Sequence, residues 1–132
     1  MALATDLMGF GMPAQLANRM ATAGNGAVTI SSAGSGFSTA TRIQCTQFLV
    51  SCSDTDGTKA LALPVVGGDN GALIGDDFIV NNAGTTSLNL FSSTGVVISV
   101  GGVNTSKTTI ALHTTMTLYP ISTTQWVGVK GA

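Results

Sequence analysis

The chain has 132 residues and a mass of 13.2 kDa, the size of one domain. Charged residues make up only 8% of it, with five basic side chains against six Asp and no Glu, where an ordinary soluble domain has about 25%. A net charge of -1 and a pI near 5.4 leave no basic footprint for nucleic acid and too few Lys, Glu and Arg for a long charged helix.

Thr (19), Ser (12) and Gly (17) supply the polar character instead, and they favour strands and turns. Hydrophobic residues at 44% are enough for a packed core. A surface this poor in charge keeps a free monomer in solution badly, so the composition predicts that partners cover much of it. No apolar run approaches the roughly 18–20 residues that cross a membrane as a helix. Asp6 precedes the first basic residue, Arg19, a pattern unlike a secretory signal.

Residues 1–24 read as an N-terminal arm. They hold four of the five Met residues. Thr5 or Asp6 can cap a first turn, and Gly9-Phe10-Gly11 breaks it. Pro13 is placed to open a short helix over residues 13–21, with Leu16 and Met20 on one face and Gly24 as a stop. A helix of about nine residues does not stand alone in water. The arm is therefore expected to dock, and Leu7, Met8, Phe10, Met12, Leu16 and Met20 form its candidate interface, an adaptable apolar surface directed at another subunit.

Residues 25–132 read as a β-domain. Weak alternation marks a strand at 27–31, and residues 41–51 form a longer one. Asp56-Gly57 is a hairpin signal before a strand at 59–64. Further strands are predicted at 77–81, 87–91, 96–100, 107–113, 116–120 and 125–129, with Ile110 and Leu112 in phase. Pro64 and Pro120 are expected at strand ends. About nine short strands separated by turns predict an all-β fold, an antiparallel β-barrel or jelly-roll-like sandwich.

Candidate chemistry is sparse. His113 is the only histidine, too few for a usual zinc site or a placeable triad. Asp54-Thr55-Asp56-Gly57 opens like a calcium loop, but Lys59 replaces the next ligand and no Glu exists to close it. Asp76 and Asp77 are adjacent, so on a strand they point to opposite faces and do not act as a pair. The Gly-rich turns lack the Gly-Lys-Ser/Thr ending of a phosphate loop. Phe48, Phe78 and Phe91 alternate with aliphatics and are expected in the core. Cys45 and Cys52 are expected as buried free thiols. These residues point to no enzyme, cofactor or metal.

Ala4-Thr5-Asp6-Leu7-Met8-Gly9-Phe10-Gly11-Met12-Pro13-Ala14 resembles the opening of a family of small structural proteins of tailed bacteriophages. Phe78-Ile79-Val80-Asn81-Asn82, then Leu88-Asn89-Leu90-Phe91, then Gly95 with Val96-Val97-Ile98, is similar to that family's order of strands. Leu63-Pro64 and the ending Thr123-Thr124-Gln125-Trp126 fit it too, while Phe91-Ser92-Ser93 stands where relatives often carry an aromatic-Pro step. The resemblance implies a capsid decoration (cement) protein on the outer surface of a virion assembled in the host cytoplasm. Its partners would be the major capsid protein and itself, as a homotrimer. A tail, head-fibre or receptor-binding component is the nearest alternative, and a small carbohydrate-binding module or hydrolase is a second, disfavoured by one Trp and one Tyr.

Overall fold

A computed structural model describes residues 27–53, 55, 58–68 and 70–131. The arm and its candidate helix and interface residues lie outside the described residues. Eleven strands follow in order, with no helix among the described residues. They are β1 (Ala27–Thr29), β2 (Thr41–Arg42), β3 (Leu49–Cys52), β4 (Ala60–Ala62), β5 (Phe78–Asn82), β6 (Leu88–Phe91), β7 (Val97–Val100), β8 (Val103–Thr105), β9 (Lys107–Ile110), β10 (Thr115–Ser122) and β11 (Gln125–Lys130). A seven-stranded sheet has the order β1-β3-β5-β10-β11-β7-β8, and a four-stranded sheet has β2-β4-β6-β9.

The all-β class holds, but the sheets are mixed and neither closes into a barrel. Through β6 the chain alternates between layers. β1, β3 and β5 pair in parallel in the large sheet, and β2, β4 and β6 pair in parallel in the small one. Parallel neighbours need a crossover, usually a helix. Here each crossover is itself a strand of the opposite sheet, so the first half of the domain is wound rather than folded in hairpins. The second half is mostly antiparallel, with β10 joining β5 to β11 and β9 joining β6. β11 pairs in parallel with β7.

Several sequence expectations change. The continuous strand over residues 41–51 is two strands in different sheets. Between them the Gln47 side chain accepts the Gln44 N–H at 2.8 Å, and the Gln47 N–H returns to the Gln44 carbonyl at 3.0 Å. This turn requires neither Gly nor Pro. Asp56 and Gly57 lie outside the described residues, and β3 and β4 on either side belong to different sheets, so they do not form a hairpin. The strand expected over 107–113 ends at Ile110. His113 adopts φ 56°, which turns the chain and leaves Leu112 exposed instead of in phase with the core.

Gly101 and Gly102, at φ 61° and 85°, make the two-residue loop between Val100 and Val103. Two consecutive positive φ values match the twist of a hairpin, and Gly adopts them without strain. Pro120 lies inside β10, not at its end. The pairing with β5 stops at Leu118, and the Pro120 carbonyl accepts the Gly75 N–H at 2.9 Å.

One core lies between the sheets. Phe78, Leu118 and Trp126 from the large sheet meet Leu61, Leu88 and Leu90 from the small one. Trp126 packs edge-on to Phe78 at 5.5 Å, and the Phe48 ring lies 5.3 Å from that of Phe78. Each large side chain buried this way contributes about 1.5–3 kcal/mol. Buried Asn82 ties the layers together. Its amide nitrogen donates to the Thr86 carbonyl (2.8 Å) and to the Ile110 carbonyl of β9 (3.0 Å), while its oxygen accepts the Gly84 N–H (2.9 Å). Both amide hydrogens and one lone pair of the amide oxygen are used.

Candidate functional site

The residues with candidate chemistry do not gather. His113 is exposed on its turn. Asp76 accepts the Leu73 N–H at 2.8 Å and closes a local turn, and Asp77 is exposed just ahead of β5. Asp54 and Asp56 lie outside the described residues. Thr55 between them is buried and donates to the Thr86 carbonyl at 3.0 Å. Cys45 and Cys52 are buried and are not joined in a disulfide. Among the described residues no cluster of His, Cys, Asp and Glu is arranged to hold a metal. No helix of the described part is long and apolar enough to cross a membrane.

Three surface regions stand out among the described residues. On the large sheet, alternation turns Phe78, Val80, Met116, Leu118 and Trp126 inward. The same alternation turns Leu49, Ile79, Thr117 and Val129 outward in one row, because Leu49 pairs with Ile79, Ile79 with Thr117 and Thr117 with Val129. A second row runs Thr29, Ser51, Asn81 and Thr115. None of these outward positions carries a charge.

These two rows line a groove of about 540 Å³ over β1, β3, β5 and β10, walled by Thr29, Leu49, Ser51, Ile79, Asn81 and Thr115. Its polar groups largely satisfy one another. The Asn81 amide donates to the Ser51 hydroxyl at 3.4 Å, and the Thr115 hydroxyl donates to the Asn81 oxygen at 3.1 Å. Covering such a groove removes apolar surface from water without stripping an ion of its hydration. Leu49 is 48% exposed at one end of it.

A second apolar area is a depression of about 450 Å³ lined by Val66, Gly67, Ala72, Leu73, Ile74 and Thr123, with Leu73 and Ile74 exposed. Its loops are braced. The Gly67 N–H donates to the Ala72 carbonyl (2.8 Å), and the Ala72 N–H donates to the Val65 carbonyl (2.7 Å).

The small sheet differs. Arg42, Ala62, Phe91 and Lys107 form one outward row. Phe91, expected in the core, faces outward and is half-buried, because the inward phase of β6 is taken by Leu88 and Leu90. The Lys107 ammonium lies 6.0 Å from its ring, and the Arg42 guanidinium lies 4.3 Å from the ring of Phe37.

The sequence pointed to the arm, and the groove escaped it. The alternation of Leu49 with Ser51 and of Ile79 with Asn81 was readable, but their adjacency depends on parallel pairing. No protein-family model matches the chain, and neither does any curated protein or solved structure.

Proposed function

We propose that this chain is a non-enzymatic structural protein of a bacteriophage virion. In this reading it decorates the outside of the capsid as a homotrimer and holds neighbouring capsid subunits together. The observation that carries the reading is the uncharged outward rows of the seven-stranded sheet, combined with a braced apolar depression at Leu73 and Ile74. Two separate surfaces of one small domain are built to be covered, as a protein bridging several subunits requires. The opening residues 4–14 and their resemblance to tailed-phage structural proteins supply the class of particle.

The mechanism is burial. Apolar surface removed from water contributes about 25 cal/mol per Å², and the same small contact repeated over a shell resists its expansion. The experiment is the copy number of this chain against the major capsid protein in purified particles. A ratio near one is expected. A few copies per hundred would assign the chain to a tail or vertex fibre, and absence from particles would overturn the virion reading.

A further inference from the structure

We propose that the open edge of β9 takes an extended segment of a partner protein, and that a carboxylate side chain of that segment pairs with Lys130 in the cleft beside it. The inference concerns a surface that the virion reading does not use, and it stands or falls apart from that reading.

The edge is set by the hydrogen-bond ladder. β9 is the last strand of the small sheet and pairs only with β6. The Ser92 N–H donates to the Ser106 carbonyl opposite it at 3.1 Å. Bonded and unbonded pairs alternate along antiparallel strands, so Leu90–Thr108 and Leu88–Ile110 are the bonded pairs that follow. The Phe91 carbonyl agrees, since it turns away from β9 to accept the Leu63 N–H at 2.8 Å. Lys107 and Thr109 therefore direct their backbone groups away from β6. The Lys107 carbonyl is taken by the Thr105 hydroxyl at 2.6 Å. The N–H and carbonyl of Thr109 have no partner among the described residues, and they are the pair that an added strand engages.

Lys130 comes to the same place from the other layer. Trp126, Gly128 and Lys130 share one phase of β11. Lys130 pairs with Met116, which is buried on the inner face. Paired residues project to the same side, so the lysine leaves the inner face of its sheet, at the end where the core opens. Its backbone is held, because the next residue, Gly131, donates its N–H to the Thr115 carbonyl at 2.6 Å. Thr109 and Lys130 both line one cleft of about 310 Å³, with Ser87, Ala111 and Met116. Ligand pockets run from about 300 to 1,000 Å³, so this one has room for a single side chain.

The charge around the cleft names the occupant. Lys130 is the only charged residue in its lining. The two described Asp residues, Asp76 and Asp77, precede Phe78, at the other end of β5 from the Asn81–Thr115 pair and so about 10 Å or more away. A partner strand offers a backbone N–H and carbonyl to those of Thr109, and one Asp or Glu on it offers the ammonium a charge-assisted bond. A dianionic phosphate would find one cation and no nest of N–H groups.

Hydrogen exchange of the isotope-labelled full chain tests the edge, and peptide titration followed by amide NMR shifts tests the occupant. In the free chain the Thr109 amide is expected to exchange far faster than those of Thr108 and Ile110. The probe is a blocked peptide, Thr-Val-Glu-Val-Thr, beside its twin with Gln at the centre and beside sodium butyrate. The Glu peptide is expected to give saturable shifts at Ser87, Thr109, Ala111 and Gly131 and to slow exchange at Thr109. The Gln twin should bind about tenfold weaker, the scale of one charge-assisted hydrogen bond. Lys130→Gln should weaken the Glu peptide to the level of that twin. Thr109→Pro removes an N–H that the ladder does not use, so the domain should fold and the peptide should no longer bind. A Thr109 amide as protected as that of Ile110 overturns the open edge. Equal binding of the Glu and Gln peptides overturns the role of Lys130. Butyrate binding as tightly as the peptide assigns the cleft to a small carboxylate and overturns the added strand. Protection of Thr109 that rises with chain concentration in the absence of peptide assigns the edge to a second copy and overturns the separate partner. No shift with any probe overturns the proposal, and leaves the particle copy number as a separate question.

Discussion

The outward faces of the two sheets handle exposure in different ways. Across the small sheet, Arg42 and Lys107 stand at the two edges of one row, each against an aromatic ring, with Ala62 and Phe91 between them. Long cationic side chains cover apolar surface with their stems and keep their charge in water. That face is finished for solvent. Across the large sheet, Leu49, Ile79 and Val129 alternate in space with Thr, Ser and Asn, and no charged stem covers them. The difference shows that low charge in this chain is not spread evenly. Of the cross-strand rows described, the small sheet's row carries Arg42 and Lys107 and the large sheet's two outward rows carry no charge.

The largest effect that would break this comparison comes from beneath both faces. Trp126→Ala should cost about 3–5 kcal/mol in denaturant unfolding, because the cavity it leaves lies in the core both sheets share. Loss of one sheet alone, read by hydrogen exchange, would show that the faces rest on separate cores. Asn82→Leu comes next. It removes the amide's bonds to the Ile110 carbonyl and the Gly84 N–H, while the Thr86 carbonyl keeps the Thr55 hydroxyl, and a loss of about 1–3 kcal/mol is expected by thermal or chemical unfolding.

Smaller changes sharpen the contrast. Arg42→Ala removes the cation over Phe37 and should destabilise the domain by about 0.5–1 kcal/mol, as an exposed cation–π contact does. Ile79→Lys on the opposite face should change monomer stability by no more than about 0.5 kcal/mol. It should nonetheless weaken self-association in sedimentation analysis, since covering this face would then strip an ammonium of its hydration. A stability loss at Ile79 as large as that at Arg42, with association intact, would reverse the assignment of the two faces.

Much of the strand inventory was legible. β5, β6, β10 and β11 fall close to the alternating stretches, since half-buried strands must alternate. Partners were not legible, because alternation tells which face a residue takes and not which strand lies beside it. The wound, parallel first half therefore read as part of an antiparallel fold, with a hairpin at Asp56-Gly57. β8 escaped notice because Val103, Asn104 and Thr105 are all exposed and carry no burial pattern. The turn at Gln44–Gln47 is made by a side-chain amide, a device without a sequence signature of its own. Of the candidate site, the uncharged arm was plain in the sequence, whereas the groove required β1, β3 and β5 to be neighbours, and their contacts are distant along the chain.

The place of β11 has a consequence for synthesis. It is the last strand in chain order, yet it lies in the middle of the large sheet, with β10 on one side and β7 on the other. Until it emerges from the ribosome, β7 and β8 have no neighbour in that sheet beyond each other. Assembly of the large sheet must therefore wait for nearly the whole domain to be translated, and a chain cut before Gln125 would leave the ribosome with two unjoined edges open to the next molecule.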